Sequence, residues 1–129
     1  MDTAAPAPGI VERTIAYSIR IVKLYRALER DSVGRVLGKQ LLRSGTSVGA
    51  NVHESQAAQS TADFLAKLYI AFKEARETAY WLRLVGETSL VSQNRLKPLC
   101  DETEQIVRIL SSIILTTKQK RKRGGTGGR

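Results

Sequence analysis

Cysteine occurs once in these 129 residues, at Cys100, and histidine once, at His53. A single cysteine excludes an intramolecular disulfide and fits a reducing cytoplasm. One of each is too few for a His/Cys metal set within a single chain. Proline is confined to Pro6, Pro8 and Pro98, so most of the length lacks the residue that breaks helices. Apolar runs extend only a few residues, against the ~20 that a membrane span needs. The first nine residues, rich in alanine and proline, carry neither the basic nor the apolar segment of a secretory signal and are expected to be disordered.

Charge is present in excess and unevenly placed. The net charge is +9. Of 21 cations, six lie from Lys118 onward together with none of the 12 acids, which leaves residues 1–117 at only +3. The basic character therefore resides mainly in Lys118, Lys120, Arg121, Lys122, Arg123 and Arg129. Such a tail suits a polyanion, and its plain alternative is a solubilising end.

Between the two ends the pattern is helical throughout. Val11, Ile15, Ile19 (or Ser18), Val22 and Tyr25 recur at three- and four-residue steps over 10–29, predicting an amphipathic first helix with that stripe inward. Asp31 or Ser32 would cap a second, Val33 to Ala58. Its stripe is Gly34, Gly38, Leu41, Gly45, Val48 and Val52. Each glycine costs a helix ~1 kcal/mol against alanine, so four of them, counting Gly49, call for close approach of a neighbouring helix. A loop around 44–47 is the competing reading. Ser60 or Thr61 caps a third helix that is expected to stop at Gly86, with Phe64, Leu68, Ala71, Phe72, Ala75, Ala79 and Leu82 inward. Asn94 would cap the fourth, with Pro98 tolerated in its first turn and Leu96, Leu99, Thr103, Ile106, Leu110, Ile113 and Thr117 in heptad spacing. Its glycine-rich end, 124–128, is expected not to continue the helix.

Three constellations bear on function. Gly34-Arg35-Val36-Leu37-Gly38-Lys39-Gln40 has three residues between its glycines where a phosphate-binding loop has four, and Gln40 stands where Ser or Thr would hold magnesium. Nucleotide hydrolysis is rejected. His53 beside Glu54 and Ser55 lacks a nucleophile elbow, and Glu74 with Glu77 lacks the Glu-x-x-His pairs of a carboxylate metal site. No enzyme, cofactor or metal is expected. Tyr69, Lys73, Arg76, Tyr80 and Arg83 interleave cations with aromatics along the third helix, a pattern suited to phosphate contact and base stacking, or simply to a solvated face. Arg43, Ser47, Asn51 and Glu54 on the second helix, with Ile70, Glu74, Glu77, Trp81 and Leu84 on the third, form a partly polar second surface. It is expected to join copies of the chain, with Arg43 paired to Glu74 or Glu77; the alternative is Trp81 packed within its own bundle.

The segment Leu42-Arg43-Ser44-Gly45-Thr46-Ser47-Val48-Gly49-Ala50-Asn51-Val52-His53-Glu54, followed by Asp63-Phe64, Lys67, Ile70-Ala71, Lys73-Glu74-Ala75 and 77–82, resembles a bacterial family of four-helix bundles. That family includes proteins encoded in intervening sequences of ribosomal RNA genes. It is structurally akin to Avd, the accessory variability protein of diversity-generating retroelements. The resemblance spans roughly 10–117. It implies an up-down-up-down four-helix bundle assembled as a ring-like homopentamer and, for the Avd relatives, a basic surface that binds structured RNA and a reverse transcriptase. The sequence is accordingly read as an all-α cytoplasmic chain with a four-helix bundle over 10–117 and a disordered basic tail over 118–129. The function expected is non-enzymatic binding of RNA, or DNA, through the tail and the Tyr69–Arg83 line, as an accessory to a reverse transcriptase. The alternative is an oligomeric protein scaffold with no direct nucleic-acid contact.

Overall fold

A computed structural model describes residues 8–128. Four helices, α1 (Pro8–Leu28), α2 (Ser32–Ser55), α3 (Thr61–Glu87) and α4 (Gln93–Gly128), follow one another through short turns, and no strand occurs among the described residues. Each helix packs against its sequence neighbour and α4 returns to α1, closing an all-α four-helix bundle. The expectation of disorder at 1–9 falls, for 1–7, outside the described residues; Pro8 and Gly9 open α1.

The glycine stripe explains how α1 and α2 meet. Gly34, Gly38, Gly45 and Gly49 are all buried, and no described glycine has a positive φ, so space rather than backbone freedom is what they supply. A Cβ on Gly34 would stand 2.3 Å from the Leu28 carbonyl oxygen, one on Gly38 3.0 Å from the Tyr25 ring, and one on Gly45 2.8 Å from Ile21. Residues 44–47 are helical, not a loop.

The face that α1 buries differs from the expected one. Ile10, Thr14, Tyr17, Ile21 and Leu28 are buried, whereas Ile15 is 43% and Ile19 52% exposed. Two lines at helical spacing run along α1, and Thr14 disguises the inner one as the more polar. Its hydroxyl donates to the carbonyls of Ile10 (2.9 Å) and Val11 (3.0 Å), so it enters the core satisfied.

Long side chains bridge α1 to α4. Thr103 Oγ1 gives its proton to the Leu99 carbonyl (2.8 Å), which leaves Tyr17 as donor in the 2.6 Å Tyr17–Thr103 bond. Burial pushes the Tyr17 phenol well above its ordinary pKa. Arg13 grips Glu102 through both its Nε (2.7 Å) and Nη2 (2.8 Å) and also reaches Gln105. That hydrogen-bonded pairing holds the Glu102 carboxyl below the usual range.

The helix ends show where local chemistry outran the sequence reading. Asp31 caps α2, accepting from the amides of Val33 and Gly34, and Ser60 caps α3 through Asp63 N. The third helix passes Gly86 and closes with paired bonds, Leu90 N to Val85 O and Ser89 N to Gly86 O, both 3.1 Å. This closure puts Ser89 at φ 61, a left-handed position that disfavours L side chains by ~1–2 kcal/mol. Ser89→Gly should therefore raise stability by up to ~1 kcal/mol in chemical denaturation, with an unchanged slope against denaturant. The fourth helix begins at Gln93, with Ser92 Oγ rather than Asn94 accepting from Arg95 N (3.3 Å). Pro98 therefore lies beyond the first turn, on the exposed side. Leu96, Leu99, Thr103, Ile106, Leu110 and Thr117 are buried as the heptad spacing predicts, with Ile114 more deeply placed than Ile113. At its far end α4 runs on through 124–128, where a glycine-limited stop was expected. Propagation adds one hydrogen bond per residue to a helix already nucleated, and a Cβ on Gly124 would have nothing within 4 Å.

Candidate nucleic-acid interface

The third and fourth helices lie antiparallel, and their outer seam changes sign along its length. At the turn end Arg83 is paired to Glu87 (2.7 Å) and Lys97 to Asp101 (3.2 Å), with Glu104 in the same groove. Toward the other end the acids disappear. A shallow groove of about 550 Å3 there is lined by Phe72 and Arg76 from α3 and by Val107, Arg108, Ser111, Ser112 and Leu115 from α4, none of them acidic. The Arg76 guanidinium carbon lies 5.9 Å from the centre of the Phe72 ring.

The two basic elements singled out in the sequence meet on this seam. Lys118 Nζ donates to the Tyr69 hydroxyl (3.1 Å) and lies 5.7 Å from the centre of its ring. The first cation of the tail thus joins the Tyr69, Lys73, Arg76 line of α3. Tyr80 continues that line, 55% exposed and edge-on to Trp81 with ring centres 5.0 Å apart. Arg83, at the top, is engaged by Glu87 and separates electrostatically from the rest. Beyond Lys118, Lys120, Arg121, Lys122 and Arg123 are carried as exposed positions on the last turns of α4; Arg129 lies outside the described residues.

Arg108 was missed by the sequence reading, and so were its neighbours Ser112 and Leu115. They belong to a line, Arg108, Ser112, Leu115 and Lys122, that repeats at helical steps on the side of α4 away from its buried stripe. The cue was this second periodicity, overshadowed by the strong heptad on the other side.

On the second surface the Arg43 ion pairs are made within one chain. Arg43 reaches across from α2 to Glu74 (3.2 Å) and Glu77 on α3, and Trp81 Nε1 donates to the same Glu77 (2.9 Å). Ser47 Oγ donates to Arg43 O and Asn51 Nδ2 to Ser47 O, so both turn back onto their own helix. Below them the Ser44 and Thr78 hydroxyls meet at 2.9 Å in the core. Trp81 and Leu84 are half-buried, Ile70 is 41% exposed, and Glu54, exposed at the C-terminal end of the α2 ridge, also borders the α1–α2 groove with His53.

Burial, with Asp101 and Glu104 adding to it, pushes the half-exposed Cys100 thiol up and so disfavours its thiolate. No group of three or more His, Cys, Asp or Glu that could hold a metal exists among the described residues, and none of the helices is long and apolar enough to cross a membrane.

A family model described as "23S rRNA-intervening sequence protein" matches residues 9–112. The chain is also similar to a crystal structure of a protein of unknown function from the S23 ribosomal protein family of Bacteroides thetaiotaomicron. The two are 42% identical, with 81% of this chain and 97% of that one covered and a TM-score of 0.78. No functionally curated protein matches the chain.

Proposed function

The chain belongs to the 23S rRNA-intervening sequence protein family, and from that premise we propose that it is a non-catalytic, oligomeric protein that binds structured RNA along the basic end of the α3–α4 seam. The observation that carries this reading is the junction of Lys118 with Tyr69, which makes the α3 line and the end of α4 one continuous cationic strip. Arg76 and Arg108 flank a groove free of acids, and Tyr69 and Phe72 offer flat faces beside them. Cations at spacings fixed by two helices suit a phosphate backbone, and aromatic faces suit unpaired bases. The acid-rich turn end would repel the same ligand, so the strip has a direction.

The resemblance to Avd extends the proposal to a ring-like homopentamer acting in the cytoplasm as an accessory to a reverse transcriptase. The exposed Ile15 and Ile19 favour a second reading, a protein scaffold, since they offer an apolar surface that RNA would not use.

The test is titration of the full chain with a structured RNA across a salt series. Affinity should fall linearly on logarithmic axes, as counterions are released. Arg76→Gln with Arg108→Gln should lower affinity by about tenfold and flatten that slope by ~1–2. Tyr69→Phe should affect it far less. An affinity insensitive to salt, or one untouched by the double change, would overturn the proposal.

A further inference from the structure

Apolar and cationic side chains form successive layers along the groove at the basic end of the α3–α4 seam. The bond between Lys118 and Tyr69 sets the antiparallel register there, each step forward on α3 matching one step back on α4. Phe72 therefore stands opposite Leu115, and Arg76 opposite Ser111, and all four line the groove. The first layer is apolar, with Phe72 half-buried and Leu115 58% exposed. The next is cationic, with Arg76 from α3 and Arg108 one turn before Ser112 on α4. Among the described residues neither arginine has an acidic partner, whereas Arg13, Arg43 and Arg83 all do. The two serines also differ from hydroxyls elsewhere in the bundle. Thr46, Ser47 and Thr103 turn theirs onto carbonyls of their own helices, but those of Ser111 and Ser112 bond no described residue.

We propose, on the footing of RNA binding by the same strip, that this groove seats one unpaired nucleotide of a structured RNA. Its base lies on the Phe72–Leu115 layer and its phosphate between Arg76 and Arg108. A continuous duplex turns phosphates and riboses outward and keeps its base faces stacked. It would satisfy the two arginines and leave Phe72 and Leu115 with nothing to cover them. An unpaired base brings a flat face for that layer, an edge of donors and acceptors for the Ser111 and Ser112 hydroxyls, and a charge close by. Arg108 and Leu115 are seven residues apart, about 10 Å along the helix, a span that one nucleotide fills from phosphate to base. Lys118 and the exposed cations after it carry the cationic track on beyond the groove. That continuation suits a polymer charged at every unit and would be idle against a small amphiphilic anion.

Two RNA duplexes with the same sequence and ends, one of them carrying a single bulged nucleotide, test it when titrated with the full chain across a salt series. The bulged duplex should bind about tenfold more tightly, because a base gains that much by stacking on an aromatic side chain and one already unpaired costs least to extrude. Leu115→Ser should cut this preference by at least about threefold, and adding Phe72→Leu should abolish it. Neither change should alter the affinity for the plain duplex or the salt slope. Leu115 is exposed, so the single variant should keep its helical circular dichroism even if the double one does not. Arg76→Gln with Arg108→Gln should, by contrast, weaken both duplexes and flatten the slope. Equal affinity for the two duplexes, or a preference untouched by Leu115→Ser, would overturn the proposed nucleotide site, while salt-dependent binding of both would leave RNA binding by the strip standing. Binding of neither duplex would remove RNA binding itself, and the nucleotide site with it.

Discussion

Gly45→Leu should lower the stability of the bundle by about 3 kcal/mol or more, the upper end of the range for overpacked cores, and lower Tm by about 10 °C. Even the first carbon of the new side chain would lie 2.8 Å from both Cγ1 and Cγ2 of Ile21, a residue with no exposed surface. Ile21 cannot swing outward, because it sits between α1 and the core, so α1 and α2 must separate. Separation loosens the close approach that Gly34, Gly38 and Gly49 also require, and the strain is shared along the whole interface. Better helix propensity returns only ~1 kcal/mol. The control is Gly124→Ala, where nothing lies within 4 Å; it should leave stability unchanged or raise it slightly. Thermal melts of the two variants at equal protein concentration check the pair, and a Gly45→Leu protein as stable as the parent would remove close packing as the reason for the glycines.

Truncation after Thr117 should cost RNA affinity at least about 100-fold in moderate salt and flatten the salt dependence by several units, since six cations leave together. Folding should change little. Thr117 is the last buried residue of α4 up to Gly124, and those between them are exposed, so the deletion removes charge and very little of the packing described. The same protein separates the two functional readings. A scaffold that captures a partner protein through its other surfaces keeps that partner after truncation, whereas an RNA-binding strip loses its ligand. Retained RNA affinity in the truncated chain would place the binding elsewhere.

Much of the fold was legible because glycine and caps leave local signals. Four glycines at helical spacing have few explanations other than a close neighbour, and Asp31 and Ser60 announce their helices by chemistry that acts within three residues. The inward face of α1 was not legible. Two lines compete there, and what decides between them is a hydrogen bond from Thr14 to its own helix, which no count of apolar residues weighs. The end of α3 was set by a hydrogen-bonded closure that holds Ser89 in a conformation serine disfavours, so the sequence pointed to Gly86 instead. The polar ridge from Arg43 to Glu54 was visible as a ridge. Whether Arg43 meets Glu74 and Glu77 of its own chain or of another is a question of helix adjacency, and the sequence alone contains both answers. The basic strip was legible in halves, and the contact between Tyr69 and Lys118, 49 residues apart, is a tertiary fact.

Helix α4 has 36 residues against 21 in α1, about 54 Å against about 32 Å at the usual rise. The excess makes a stiff arm instead of a tether. Lys120, Arg121 and Lys122 follow at ~100° steps, so the arm presents charge around most of its circumference and has no neutral side to turn away. Such an arm gains most by entering between two strands of a polyanion, where both flanks are occupied at once. Laid along a single strand, it would leave half its charge facing water.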